Sequence, residues 1–249
     1  MKKILRYVSL LLASLVIFGC GFINFGGLNL ITPSDSVTTE TRQVSDFSGI
    51  DLSTFGKMVI TQGDTVSLTI SGADNLVPLV KTTVKNGVLS IEMKENVNIT
   101  KLNSDNMLTF TITVKDLTGL TVSGAGDVEM DALQTNSLMV VMSGAGQVSF
   151  GQLTAQSLNA TLSGLGNIQV AGEVTDLVAV LSGAGALEAG DLKCATANVS
   201  ISGLGGATVW VTDSLTGDIS GGGNVSYYGN PQTTFSTSGL GEFKSLGSK

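Results

Sequence analysis

Apolar and polar residues alternate with period two along most of this chain, and glycine interrupts the alternation at a regular interval. Leu108–Val114 reads apolar–Thr–apolar throughout, and Leu158–Leu162, Gln147–Phe150 and Asn167–Val170 alternate in the same way. Period two places successive side chains on opposite faces of a strand. Between Gln43 and Lys115 the pattern predicts strands at Lys57–Thr61 and Val66–Ile70, with a hairpin-like break at Gln62-Gly63-Asp64. Val84–Met93 contains Asn86-Gly87, the strongest two-residue turn signal. Asp74–Lys81 fits a short helix or a loop.

From Leu117 onward the interruptions become a repeat. Ser-Gly-x-Gly begins at Ser123, Ser143, Ser163, Ser182, Ser202, Ser220 and Ser238. An alternating strand precedes each serine, and a second short strand follows the last glycine. About 20 residues carrying two or three strands, with no helical period between them, make one coil of a parallel β-solenoid. Stacked coils align equivalent residues in columns about 4.8 Å apart. The serines are then expected to form a hydroxyl ladder. The glycines are expected to admit positive φ and close approach of coils. The x positions read Ala, Ala, Leu, Ala, Leu, Gly, Leu and are expected to fill an inward corner. The strands of 43–116 and the segment Tyr227–Lys249 are the candidates for covering the two ends, and an uncovered end would pair with a second copy.

The first 20 residues follow a different rule. Lys2, Lys3 and Arg6 precede an apolar run, Val8–Phe18, too short for a comfortable transmembrane helix. The run ends in Ile17-Phe18-Gly19-Cys20, which resembles a bacterial lipobox, with Phe18 bulkier than usual at its position. The expected organisation is a signal peptide over 1–19, a lipidated Cys20 with a tether to residue 42, and one solenoid domain over 43–247. That domain has a strand-rich entry (43–116) and repeats (117–247). The predicted location is the outer side of a bacterial membrane, held by acyl chains on Cys20. The alternatives are a signal cut elsewhere or an uncleaved anchor.

Composition narrows the chemistry. The formal charge is −7, and loss of Lys2, Lys3 and Arg6 leaves 10 basic against 20 acidic residues. Between Thr121 and Phe243 the only basic residue is Lys193. Such a surface repels nucleic-acid phosphates, so nucleic-acid binding is rejected. There is no histidine, which removes the commonest general base and metal ligand. The repeated serines have no base to activate them. No catalytic residue, cofactor or metal is expected. Cys194 is read as a small buried hydrophobe.

The residues at this point resemble a known family. Val44–Asp51, Ile60–Asp64, Val84–Ile91, the repeated Val-Ser-Gly-Ala-Gly unit and Tyr227–Pro231 are similar to the bacterial auto-transporter adhesin head GIN domain family. The similarity covers about residues 43–247. It implies a right-handed parallel β-helix, often exported or lipid-anchored, with no established catalytic residues. Many members carry Ser at the fourth motif position, where this chain has Gly.

Two surface features compete for function. Asp127, Glu129 and Asp131 alternate along one strand, with Glu188 and Asp191 expected nearby after stacking. Paired carboxylates suit a polysaccharide-active β-helix enzyme or Ca²⁺, but the acids do not recur as a column. A solvated acidic face is the simpler reading. Trp210, Tyr227 and Tyr228 are the exposed-aromatic candidates for stacking on a sugar or a protein partner. Core or end-cap packing is their competing role. The leading expectation is a non-enzymatic adhesion or binding module for a glycan or envelope protein. The rivals are the enzyme and a purely structural envelope protein.

Overall fold

The computed structural model describes residues 29–100 and 107–249. Cys20 and the apolar run before it lie outside the described residues. The entry segment contains β1 (Asn29–Ile31), β2 (Val37–Arg42), β3 (Gly49–Ser53), β4 (Gly56–Gln62) and β5 (Ser67–Ala73). A 3-10 turn (Val77–Leu79) leads to β6 (Val80–Lys85), β7 (Val88–Met93), β8 (Val97–Ile99) and β9 (Thr109–Val114). The repeats comprise β10 (Gly119–Val122), β11 (Gly126–Gln134), β12 (Ser137–Met142) and β13 (Gln147–Leu162). They continue through β14 (Asn167–Leu181), β15 (Ala186–Ile201), β16 (Gly206–Ile219), β17 (Val225–Tyr228), β18 (Gln232–Thr237) and β19 (Phe243–Gly247).

The solenoid is parallel, and its register follows the repeat. Val128 stacks under Val148, then Ile168, Leu187, Ala207, Val225 and Phe243. Leu138, Leu158, Leu177, Ala197, Leu215 and Thr233 form a second column. Register shifts between Phe150 and Leu153, and at matching places above, mark a bend inside each long strand. Alternate residues of β3 to β5, β7 and β9 to β16 are buried in one continuous core running from Phe47 to Val225, the outcome that period two requires.

The coil corners explain the glycines. Ser143 N donates to Val122 O at 2.9 Å and Ala145 N to Gly124 O at 3.1 Å, so adjacent corners touch through main chain. A Cβ on Gly144 would lie 1.8 Å from Gly124 O, and one on Gly185 would lie 1.8 Å from Gly166 O. Close approach, not backbone sign, demands glycine, since within the Ser-Gly-x-Gly units only Gly146 has positive φ (120°).

Two expectations about the corner are corrected. The x residues do not face inward: Leu165, Leu204 and Leu240 are 75%, 77% and 96% exposed. The two main-chain glycines occupy the inner side of the turn and push the residue between them to solvent. The serines are exposed as well. Among the described residues no hydroxyl bond links the seven motif serines to one another. The inter-coil bonds belong to backbone amides, and the hydroxyls face solvent. Ser123 does meet Ser53 Oγ at 3.0 Å. That contact identifies Ser53-Thr54-Phe55-Gly56 as a further corner, stacked directly below Ser123–Gly126.

The entry strands continue the solenoid and then close it. β3 and β4 pair in parallel with β10 and β11, and β7 and β9 add one more layer beneath. Antiparallel β6 and β5 follow, and β2 ends the stack against β5. Asn86 (φ 51°) and Gly87 (φ 77°) make the β6–β7 turn as expected. The hairpin expected at Gln62–Asp64 does not form, because β9 lies between β4 and β5. β9 competes successfully because its Phe110 and Ile112 are fully buried between those strands. Within the segment expected as a tether, Val37–Arg42 forms β2, whose successive positions alternate between exposed and half-buried. At the opposite end β18 is exposed along its whole length, and the Phe235 and Phe243 rings stack at 4.0 Å across the last coils.

Candidate functional site

Tyr227 and Tyr228 are adjacent on β17, so the pleat sends them to opposite faces. Tyr227 pairs with buried Val209, packs against the core and lies 5.8 Å from the Phe235 ring. Tyr228 pairs with Trp210 one coil below, and both are half-buried on the outer surface. The structure therefore brings Trp210 and Tyr228 together and turns Tyr227 toward the end of the core. A Cβ on Gly190 would crowd Thr208 Cγ2 at 3.1 Å and touch the Tyr228 ring at 3.4 Å.

Beside this aromatic pair runs a groove of about 330 Å³ lined by Gln169, Glu188, Asp191, Thr208, Tyr228 and Lys249, among others. Lys249 Nζ sits 5.3 Å from the Trp210 ring centroid and 5.1 Å from that of Tyr228. The same ammonium donates to the Asp191 carboxylate and to Gly190 O. The sequence pattern sets Asp191 with the acidic strand and carries no signal for Lys249. Asp191 stacks over Ala171 across a register shift, and Lys249 follows the last repeat.

The acidic strand resolves into structural roles. Asp127, Glu129 and Asp131 do share the outward face of β11 and line a second groove with Gln147 and Ser149. Asp127 Oδ1 accepts the Gln147 amide at 2.9 Å. Asn167 Oδ1 accepts from Ala186 N (3.0 Å) and Asn224 Oδ1 from Glu242 N (2.9 Å) in the same column. These side chains bridge one coil to the next through its main chain. Glu129 pairs with Lys57 at 2.8 Å. Glu188 is in the Glu129 column but three coils above, about 14 Å away at the usual strand spacing. Glu188 and Asp191 therefore do not join Asp127 as expected. Among the described residues no three metal-ligating side chains converge.

Cys194 is buried, donates its thiol to Trp210 O at 3.2 Å, and burial pushes its pKa up to about 12. It is an inert core residue that also fixes the backbone behind Trp210.

The chain is thus a parallel β-solenoid with an outer groove beside the Trp210–Tyr228 pair. The chain belongs to the family described as "Putative auto-transporter adhesin, head GIN domain", whose model matches residues 46–231. A Bacteroides fragilis protein solved as a putative adhesin is 31% identical, with a TM-score of 0.81 over 87% of this chain and all of its own. Two Parabacteroides proteins share the fold. One, from P. distasonis, is titled a putative lipid binding protein (22% identity, TM-score 0.73, 88% of this chain and 100% of that one). The other, from P. merdae, is titled a putative adhesin (18%, 0.67, 88% and 99%). No protein of curated function matches.

Proposed function

We propose that this chain is a non-enzymatic binding module of the bacterial envelope, lipid-anchored through Cys20, that holds a glycan or protein ligand against its Trp210–Tyr228 face. The observation that carries the reading is the aromatic pair itself. Two large rings in consecutive coils, each partly open to solvent, offer flat apolar area rimmed by Gln169, Glu188 and Thr208. Aromatic faces with polar rims are the usual chemistry of such contacts. Adhesin family membership and the adhesin-titled relative support a binding role. The lipobox-like Ile17–Cys20 supports the anchor. Against catalysis stand the engaged Asp127 and Glu129 carboxylates and the lack of histidine. The exposed edge β18 is where a second copy would pair.

A printed array of glycans and purified envelope and matrix proteins tests the reading. Wild type is expected to bind at least one feature saturably, and Trp210→Ala is expected to weaken that binding tenfold or more. Turnover of any arrayed glycan, or binding indifferent to Trp210, overturns it.

A further inference from the structure

We infer that the Trp210–Tyr228 groove is a site for the side-chain ammonium of a lysine on a partner protein, and that Lys249 is its tethered occupant. The inference rests on the proposed function and specifies the ligand of that same face.

Four groups converge on the Lys249 ammonium. The Trp210 and Tyr228 rings flank it at 5.3 and 5.1 Å, the Asp191 carboxylate neutralises it, and Gly190 O accepts a hydrogen bond. Aromatic faces present negative potential to a cation, and a carboxylate with a carbonyl completes the shell that water would otherwise supply. These four groups belong to three consecutive coils (β15, β16 and β17), so the rigid scaffold holds them in place whether or not Lys249 is seated. Among the described residues Asp191 pairs with no other cation, and the neighbouring Lys193 pairs with Glu173 instead at 3.2 Å. The acidic balance of the chain adds a long-range pull on any approaching cation.

The occupant also shows the shape of the ligand. The four-carbon stem of Lys249 sets its ammonium within 5.3 Å of the Trp210 ring centroid and 5.1 Å of that of Tyr228. An amino sugar, whose ammonium sits directly on the ring, lacks that reach. Lys249 acts as an intramolecular competitor whose effective concentration a free ligand must exceed.

The test uses the full chain, whose single tryptophan is Trp210, so selectively excited tryptophan fluorescence reports on the ring that flanks the ammonium. Nα-acetyl-lysine methylamide is titrated into wild type, Lys249→Ala, and Lys249→Ala combined with Asp191→Asn. Its uncharged isostere, Nα-acetyl-norleucine methylamide, and glucosamine are titrated alongside, and circular dichroism checks that each variant is folded. Lys249→Ala is expected to bind the lysine amide saturably, at least fivefold more tightly than wild type. The Asp191→Asn combination is expected to lose at least fivefold of that, and norleucine to give no saturable change. Equal responses to lysine and norleucine, or no response in Lys249→Ala, overturn the site. Tighter binding of glucosamine than of the lysine amide overturns the protein-partner assignment. Trp210-dependent array binding without lysine binding sinks this inference and leaves the binding-module reading standing.

Discussion

The carbonyl oxygen of Gly124 lies where a side chain on Gly144 would have to begin, 1.8 Å from the ideal Cβ position. The two residues occupy the same corner of successive coils, and their contact sets how closely the coils stack. Gly144→Ala must either part the coils or bend the corner. We expect a loss of about 2 kcal/mol or more, in the range of overpacked sites. Leu165→Ala in the same turn, being exposed, should stay within about 0.5 kcal/mol. Thermal unfolding of the two variants checks the contrast, and equal effects would contradict the corner geometry.

The Asx column makes a separate claim about the acidic strand. Asn167→Ala removes the acceptor for Ala186 N and should cost about 1 kcal/mol, the ordinary net worth of one hydrogen bond. Asp127→Asn keeps an oxygen facing Gln147 N and should be nearly neutral. Urea denaturation measures both. A polysaccharide-cleaving activity abolished by Asp127→Asn would show that the carboxylate does chemistry.

Cys194 titrates far above its ordinary range, from 9.0 to about 12, because burial disfavours the thiolate, with the Asp176 charge adding to the shift. A raised folded pKa means that the native state keeps its proton while the unfolded state loses it. Its contribution to stability is therefore complete below about pH 9 and declines as the pH climbs toward 12. Alkylation by iodoacetamide at pH 8 should be negligible in the folded chain and rapid in denaturant. Rapid labelling of native protein would place the thiol at the surface.

Much of the architecture was readable from sequence because a solenoid writes its geometry as spacing. The intervals between Ser123 and Ser238 reappear as the pairing offsets of the coils, and Asn86-Gly87 made the turn its chemistry requires. What failed depended on direction or on competition between strands. Spacing alone does not say which side of a corner Leu165 faces. Nor does it say that β9, 47 residues beyond the last residue of β4, intervenes between β4 and β5. The corner at Ser53–Gly56 was hidden because Thr54 and Phe55 break the motif, although Ser53 and Gly56 keep its ends. The candidate site was half readable. Trp210 and Tyr228 stand out by type, whereas Asp191 and Lys249 reach them only through the fold.

Lipid attachment is open to a direct check. Palmitate labelling of the producing bacterium should mark the chain, and Cys20→Ser should abolish the label and release the protein from the membrane fraction. Labelling that persists in Cys20→Ser would place the anchor elsewhere.

Adherence of cells displaying the chain decides whether the Trp210–Tyr228 face is the binding surface. Cells carrying wild type and cells carrying the Trp210→Ala/Tyr228→Ala pair are compared on a host or envelope surface, with display matched by antibody. Wild type is expected to adhere, and the paired variant to fall at least tenfold at equal display. Equal adherence of the two would contradict it.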